Sequence, residues 1–479
     1  MDANSRNCIV TVQHPEREAA IKSINNGWAE QSPELWWQHV QEAILKAHAT
    51  KKYYPKDIGA IGIAYQMHGL VLINKEQQVL RDSIIWCDSR AVDFGNNAFN
   101  QIGEGKCLEH LLNSPGNFTA SKLAWVKENE PEVFNKIDKV MLPGDYISMK
   151  LTGNITTSKS ALSEGIFWDF KKNQLSEDIL NYFGFNKAMF PTIQDVFSVH
   201  GNLKNSVAES LLLKTGIPVS YKAGDQPNNA LSLNVFEPGE VAATAGTSGV
   251  IYGVSDKVLC DKQSRVNIFA HVNHTDTQIR LGTLLCINGA GIMNSWIKKM
   301  VGTNISYNQM NNDATGVKEG SDGLKILPFG NGAERMLNNK TISAHIQQID
   351  LNKHTAAHIF RATQEGIAFA FRYGLDIMRS NGIHPEIIRA GKANMFYSEL
   401  FTEAFVNATN VPVALYNCDG SSGAAIGAGI GYGYYKNAKD AFSTGFVHLK
   451  YVVPSKVSVY EELYQEWKCL LEQQLNKKN

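Results

Sequence analysis

The chain has 479 residues, and on the usual scale of roughly 100 to 200 residues per domain this length predicts two or more domains. Lysine plus arginine and aspartate plus glutamate both number 46, so the formal net charge is zero and no basic field attracts nucleic acid or anionic lipid. The seven cysteines are scattered without a CxxC pair, which is typical of reduced thiols in a cytoplasmic protein, and we expect small-molecule partners with no nucleic acid and no membrane.

The first predicted elements are a helix and several strands. Residues 32 to 49 show apolar side chains at helical spacing, with Ser32 able to cap the helix and Pro33 able to open it. Strands are predicted over residues 57 to 66, 69 to 80 and 83 to 86. This mixture indicates an α/β or α+β fold.

A turn that carries a single carboxylate follows at AGDQPNNA (223 to 230). Aspartate is a favoured N-cap and Pro227 suits a first helical turn, so capping of the next helix is one interpretation of Asp225. A rigid turn is also a good place from which to aim a carboxylate at a substrate. This stretch alone leaves both interpretations open.

Small residues crowd a predicted hairpin at EVAATAGTSGV (240 to 250). Such a turn lets backbone amides approach an anion, and Thr247 and Ser248 add hydroxyl donors. An ordinary β-turn is the alternative interpretation. The chain has no Walker sequence and no protein-kinase motif set, so a phosphate site here is of another type.

The last third of the chain predicts a long helix and a βαβ unit. The helix covers residues 355 to 382, and residues 384 to 415 read as strand, glycine turn, helix and strand. RAGKAN (389 to 394) lies where such a unit offers backbone donors to a nucleotide. GAAIGAGIG (423 to 431) permits close approach to an adenine ring or tight helix packing.

Two short stretches contain histidine. In QMHG (66 to 69), His68 can donate a hydrogen bond to a sugar hydroxyl or serve as a structural residue. HVNH (271 to 274) has only Asp276 as a nearby carboxylate and matches no standard metal motif. We predict that HVNH lies at the surface, and we assign no protein-bound metal.

Seven phrases follow one another along the chain: NGWAEQSPELWW (26 to 37), GIAYQMHGLV (62 to 71), RDSIIWCDSR (81 to 90), SKLAWVKENEPEVF (121 to 134), LPGDYISMKLTG (142 to 153), AGDQPNNA and GEVAATAGTSGV. In this order they resemble the FGGY family of carbohydrate kinases over nearly the whole chain. The resemblance implies an α/β, two-domain ATPase fold of the actin, hexokinase and Hsp70 type, with ribonuclease H-like mixed sheets and flanking helices. Residues 1–234 would form the sugar-binding and catalytic-base domain, and residues 235–479 the nucleotide-binding domain.

The resemblance also implies roles for individual residues. Asp225 would be the catalytic base that takes the proton from a sugar hydroxyl. The sugar pocket would be lined by Gln66, Met67, His68, Asp225 and Gln226. ATP would be bound by Gly246, Thr247, Ser248, Gly249, Gly391, Lys392, Asn394, Gly423 and Ala424, and Mg²⁺ would accompany it. A homodimer is a further expectation from the family.

Within the family, QMHGLV with GDQ most resembles the members that convert D-xylulose to D-xylulose 5-phosphate. A few hydroxyl contacts decide between epimers, so another ketose or polyol, such as ribulose, stays open as the substrate. The family begins with a strand and a DxGTSS turn whose aspartate serves Mg²⁺, whereas MDANSRNCIVTVQHPE resembles the segment just after that turn. Without that turn, a sugar-binding protein with impaired kinase activity is the alternative.

Overall fold

The computed structural model of the protein describes residues 1–302, 304–443 and 446–477. Its strands are β1 (Glu30–Gln31), β2 (Ile61–Tyr65), β3 (Val71–Ile73), β4 (Ser83–Ile84), β5 (Lys139–Met141), β6 (Thr156–Thr157), β7 (Trp168–Asp169), β8 (Gln174–Leu175), β9 (Thr192–Ile193), β10 (Phe197–Asn202), β11 (Pro218–Gly224), β12 (Val241–Ala245), β13 (Gly249–Ser255), β14 (Asn267–Ala270), β15 (Leu281–Ile287), β16 (Lys325–Leu327), β17 (His345–Gln347), β18 (Ile388–Gly391), β19 (Val413–Tyr416) and β20 (Lys450–Val452). Its α-helices are α1 (Pro33–Ala49), α2 (Val92–Ile102), α3 (Glu104–Leu111), α4 (Thr119–Asn129), α5 (Pro131–Phe134), α6 (Pro143–Thr152), α7 (Lys159–Glu164), α8 (Glu177–Phe183), α9 (Asn205–Ser210), α10 (Asp225–Ser232), α11 (Gly291–Val301), α12 (Tyr307–Thr315), α13 (Ala356–Ser380), α14 (Glu399–Thr409), α15 (Gly420–Gly431), α16 (Ala438–Ala441) and α17 (Val457–Leu475).

The two helices predicted from their end signals are confirmed. At the start of α1, the Ser32 hydroxyl accepts a hydrogen bond from the Leu35 amide at 3.4 Å, and Pro33 occupies the first helical position. The long helix α13 is followed by Asn381 and then by Gly382, whose φ is +86°. Glycine adopts this left-handed conformation without a steric cost, so the chain turns away there.

A sheet in the order β10-β11-β2 organises the first half of the described chain. β2 and β11 are parallel, with Tyr65 opposite Gly224. The segments that follow these two strands therefore leave the sheet at the same edge. The other two predicted strands are shorter than the sequence suggests, and they form small pairs, β3 with β5 and β4 with β1.

A second sheet, in the order β14-β15-β13-β12-β18-β19-β20, forms the other half. The predicted hairpin is its antiparallel pair β12 and β13. The predicted βαβ unit is also present as β18, α14 and β19. β12, β18 and β19 are mutually parallel neighbours, so the turns after all three strands lie along one edge.

Helix α15 packs against the first sheet through its small residues. A Cβ built at Gly62 of β2 would lie 2.0 Å from the Ala424 carbonyl oxygen, and one built at Gly427 would lie 2.6 Å from the Tyr221 ring. Only glycine permits this approach, and the helix is thereby locked against β2 and β11. The predicted division at residue 234 falls in the connection between α10 and β12, and it stays a prediction. Within the described ranges, no helix has the length and apolar character needed to cross a bilayer.

Candidate active site

Two parallel strand ends bring the predicted sugar-binding residues together. Gln66, Met67 and His68 follow β2, and Asp225 and Gln226 follow β11. The Met67 amide hydrogen-bonds the Asp225 carboxylate, and a Cβ built at Gly224 would lie 2.6 Å from Cγ of Met67. The parallel register of β2 and β11 explains why segments about 160 residues apart in sequence meet at one edge.

Asp225 is the first residue of α10 but does not cap that helix. Gly224 is the N-cap residue and offers no side-chain cap, so the capping interpretation of Asp225 is wrong. The carboxylate instead accepts a hydrogen bond from Nε2 of Gln226 at 3.1 Å. Burial raises the pKa of Asp225, and the hydrogen bonds from Gln226 and Met67 partly offset that effect. Asp225 is thus a carboxylate held by fixed donors at the edge where β2 and β11 end.

The imidazole of His68 is held in one tautomer. Its Nδ1 lies 2.9 Å from the carbonyl oxygen of Glu164, and a carbonyl can only accept, so Nδ1 carries the proton. Burial and the nearby Lys122 lower the pKa of His68 to about 3, which keeps the ring neutral. The rings of Phe118 and Phe269 pack against it at 4.7 and 5.5 Å between centroids. Nε2 is therefore an acceptor, and His68 is suited to accept a hydrogen bond from a hydroxyl group but not to donate one.

A second carboxyl group, that of Glu164 at the end of α7, lies beside Gly224, the residue before Asp225. The side chain is only 1% exposed, and Tyr65 at the end of β2 hydrogen-bonds it. Burial, and next the charge of Asp225, raise the pKa of Glu164 well above its ordinary value. No pattern in the sequence predicted a role for Glu164. The signal that could have indicated its burial is that Glu164 is the one charged residue in the mostly apolar stretch 162–168.

The sequence patterns also did not predict a role for Lys122 on α4. This side chain contacts the backbone of His68. Its Nζ donates hydrogen bonds to the carbonyl oxygens of His68 and Ile85, both at 2.9 Å. Burial lowers the pKa of Lys122 to about 7, while nearby Asp88 acts in the opposite direction. Lys122 therefore ties the loop that carries His68 to the strand end beside it.

The predicted phosphate turn is an exposed turn braced by α11. The carbonyl oxygens of Gly246 and Thr247 accept hydrogen bonds from the amides of Gly291 and Ile292, both at 3.0 Å. Thr247 and Ser248 are exposed, and their own amides donate to no group among the described residues. Gly249 follows in β13, where a Cβ would lie 2.5 Å from the Phe371 ring. Free amides on a braced turn fit an anion such as phosphate.

The segment predicted to bind adenosine lies next to that turn. A Cβ built at Gly246 would lie 3.5 Å from Nδ2 of Asn394, as expected from the parallel pairing of β12 with β18. Gly391 ends β18, and Lys392 and Asn394 are exposed after it, with Asn394 at a φ of 52°. The two predicted nucleotide segments therefore share one edge of the second sheet.

Gly423 and Ala424 are placed differently from the other predicted nucleotide residues. Both are buried in α15, where a Cβ at Gly423 would lie 2.8 Å from the Asn228 carbonyl oxygen. Nδ2 of Asn228 also donates to the Gly420 carbonyl oxygen at 2.7 Å, which fastens the start of α15 to α10. Tight helix packing explains these small residues, and their contact with adenosine stays a prediction.

The HVNH stretch is buried, so its predicted surface position is wrong. The ring of His271 hydrogen-bonds the Tyr252 hydroxyl at 2.9 Å and the Val235 carbonyl oxygen at 3.0 Å. Burial lowers the pKa of His271 to about 3. His274 is also buried and contacts the backbone of Arg280. Both ring nitrogens of His271 and Nδ1 of His274 are hydrogen-bonded within the protein, and with their burial this identifies both histidines as structural residues.

A separate group of potential ligand atoms lies at α3, β7 and α8. His110, Asp169 and Asp178 place one ligand atom each within 4.8 Å of the others. Nδ1 of His110 lies 2.9 Å from Asp169, and Lys106 pairs with Asp178 at 2.5 Å. Ion pairing and hydrogen bonding within the protein account for this cluster.

Known proteins are similar to this chain in both sequence and fold. The N-terminal domain model of the FGGY family of carbohydrate kinases matches residues 3–232, and the C-terminal domain model of the same family matches residues 241–432. The xylulose kinase of Bacillus subtilis (strain 168) is 29% identical over 423 residues, which are 86% of this chain and 82% of that protein. The xylulose kinase of Lactococcus lactis subsp. lactis (strain IL1403) is 28% identical over 462 residues, covering 94% and 90% of the two chains. The solved structure of xylulose kinase from Rhodospirillum rubrum is 25% identical with a TM-score of 0.85, covering 95% of this chain and 93% of that chain.

Proposed function

Because the chain belongs to the FGGY family of carbohydrate kinases, we propose that it transfers the γ-phosphoryl group of ATP to D-xylulose, giving D-xylulose 5-phosphate. The observation that carries this proposal is the meeting of Asp225 and the Gln66–His68 segment at one strand edge. Relatives named xylulose kinase, which match most of the chain, support the choice of sugar. The predicted domains, 1–234 for the sugar and 235–479 for the nucleotide, are part of the proposal.

Asp225 acts as the general base. Its carboxylate accepts a hydrogen bond from the reacting sugar hydroxyl and takes the proton as the new O–P bond forms and the bond to ADP breaks. General-base catalysis of this kind contributes on the order of 10² to 10⁴ in rate. Burial raises the pKa of Asp225 towards the working pH, which strengthens the carboxylate as a proton acceptor.

His68 and Gln226 orient the sugar around this base. Nε2 of His68 is a fixed acceptor for a sugar hydroxyl, because Nδ1 is held by the Glu164 carbonyl. The Gln226 side chain holds Oδ2 of Asp225 and so fixes the orientation of the carboxylate in the site. Met67 and Gln66 complete the sugar-binding set.

The exposed turn at Gly246–Gly249 holds the phosphates of ATP in this proposal. The unpaired amides of Thr247 and Ser248 and their hydroxyls are suited to phosphate oxygens. Gly391, Lys392 and Asn394 border the same edge, and Gly423 and Ala424 keep their proposed place near adenosine. Mg²⁺ bound with ATP would supply positive charge to offset the charge of the phosphates. We place the reaction in the cytoplasm because all seven cysteines are free thiols.

A substrate panel tests the proposal directly. The full chain is supplied with ATP, Mg²⁺ and, in turn, D-xylulose, D-ribulose, L-ribulose or glycerol, and ADP is measured in a coupled assay. We expect the largest kcat/KM for D-xylulose, and a larger value for another acceptor reassigns the substrate. Ketose binding by calorimetry without ADP formation would instead support a sugar-binding protein that lacks kinase activity.

A further inference from the structure

The buried carboxyl group of Glu164 lies beside the turn that carries Asp225 and has no role in the phosphoryl transfer described above. Its Oε2 lies 2.6 Å from the position of a Cβ built at Gly224, the residue immediately before Asp225. The Tyr65 hydroxyl hydrogen-bonds the same carboxyl, whereas Oε1 has no hydrogen-bond partner among the described residues. The carboxyl group of Glu164 is therefore packed against the turn that carries Asp225.

The helix that carries Glu164 is held to the second sheet by hydrogen bonds. α7 is fastened to β14 by two hydrogen bonds, from the Ser160 hydroxyl to the Ala270 carbonyl at 2.8 Å and from the Ala270 amide to the Ser163 hydroxyl at 2.9 Å. The backbone carbonyl of Glu164 is also the group that sets the tautomer of His68. One residue thus contacts both the histidine and the turn of the base.

Two carboxyl groups in one buried site do not both ionise readily, because their like charges repel and burial disfavours charge. Glu164 is more deeply buried than Asp225, which remains partly exposed and accepts hydrogen bonds from Gln226 and Met67. The other titratable groups that face Glu164 are Tyr65, Asp145 and Tyr252. None of these is a cation, so the proton belongs on Glu164 and the negative charge on Asp225.

We propose that Glu164 is a positioning residue, a neutral carboxyl that holds Tyr65 and supports the turn from which Asp225 acts. The inference rests on the proposed function for its catalytic consequence. The protonation of the Glu164 carboxyl group near neutral pH does not depend on whether the protein phosphorylates a sugar. The two parts are therefore measured separately.

Infrared difference spectroscopy tests the protonation state. The spectrum of the wild type minus that of Glu164→Gln near neutral pH should contain the C=O band of a protonated carboxyl group. Absence of this band overturns the inference, whether or not the wild type turns over a sugar. An inactive wild type that keeps the band contradicts the proposed function alone.

Kinetics test the positioning role. Glu164→Leu removes the hydrogen-bond acceptor of Tyr65, and we expect kcat per folded molecule to fall about tenfold or more while the KM for sugar changes less than about threefold. Glu164→Gln keeps a neutral acceptor and should recover kcat to within about threefold of the wild type. If Glu164→Leu does not fold, Tyr65→Phe removes only the hydroxyl and should show the same loss of kcat in milder form. Native kcat in the folded leucine or phenylalanine variant, or an equal loss in the glutamine variant, overturns the positioning role.

Discussion

Nε2 of Gln226 donates a hydrogen bond to Oδ2 of Asp225 at 3.1 Å, which fixes the orientation of the carboxylate. Asp225→Asn keeps the size of the side chain but removes the proton acceptor. We expect kcat to fall by about 10² to 10⁴ at an unchanged thermal midpoint, because the base is lost and the packing is kept. The measurement is ketose-dependent ADP formation.

The matched control for this substitution is Asp178→Asn on α8. Asp178 pairs with Lys106 outside the sugar pocket, in a contact exposed enough to contribute little to stability. This variant should keep native kcat and KM. Native turnover in Asp225→Asn would show that another group accepts the proton.

The raised pKa of Asp225 has a consequence for the pH profile. Burial shifts this pKa above the ordinary aspartate value of 3.8, and the base acts only as a carboxylate. Activity is therefore lost as the pH falls through the raised pKa, and the acid limb of kcat/KM should lie above about pH 4. Circular dichroism at each pH confirms that the protein stays folded, and a flat profile down to that pH would contradict the prediction.

The neutral state of Glu164 also predicts a pH-dependent stability. Its pKa is raised well above the ordinary glutamate value of 4.5, so the folded protein keeps a proton that the unfolded chain loses above that pH. Because the pKa of Glu164 is higher in the folded state, its contribution to the free energy of unfolding is complete below the pKa of the unfolded chain. That contribution is lost as the pH rises towards the pKa of the folded state. The wild type should lose about 1.4 kcal/mol of unfolding free energy per pH unit relative to Glu164→Gln over that window. Urea unfolding of both proteins between about pH 5 and 7 measures the difference, and parallel curves would count against a protonated Glu164.

Local signals in the sequence predicted much of the fold. Ser32 and Pro33 marked the start of α1, and Gly382 marked the end of α13. The small-residue turn predicted the β12–β13 hairpin. In the structure, β12 of this hairpin pairs in parallel with β18 of the βαβ unit, which explains why the segments after these two strands meet. These features depend on neighbours within a few residues, which a sequence displays directly.

Burial of polar groups was the part that local patterns did not predict. Glu164 meets the turn of Asp225, and His271 meets Tyr252 and Val235, only because the tertiary fold brings separate elements together. A lone acid or histidine in a short apolar stretch looks the same whether it faces solvent or a pocket. The proton on Glu164 and the tautomer of His68 therefore required the structure.

The exposed turn predicts a selective effect on the nucleotide. Thr247→Ala removes one hydroxyl donor, and a hydrogen bond to a charged group is worth about 1.5 kcal/mol or more. The KM for ATP should rise about tenfold while the KM for the sugar stays unchanged. Thr277→Ala, exposed in the connection between β14 and β15, is the matched control and should leave both values native. An equal rise in the sugar KM would argue against a phosphate role for the turn.

The buried ion pair of Lys222 and Asp145 predicts a large effect on stability. Nζ of Lys222 on β11 lies 2.6 Å from Oδ1 of Asp145 on α6, and the two side chains are 1% and 2% exposed. Lys222→Met leaves the Asp145 charge buried without its cation and should cost about 3 to 5 kcal/mol of unfolding free energy. Replacing both partners, in Lys222→Met with Asp145→Leu, removes the unpaired charge and should recover most of that loss. Urea unfolding of the wild type, both single variants and the double variant completes this double-mutant cycle. If Lys222→Met and the double variant lose the same free energy of unfolding, the unpaired charge of Asp145 is not the cause of the loss.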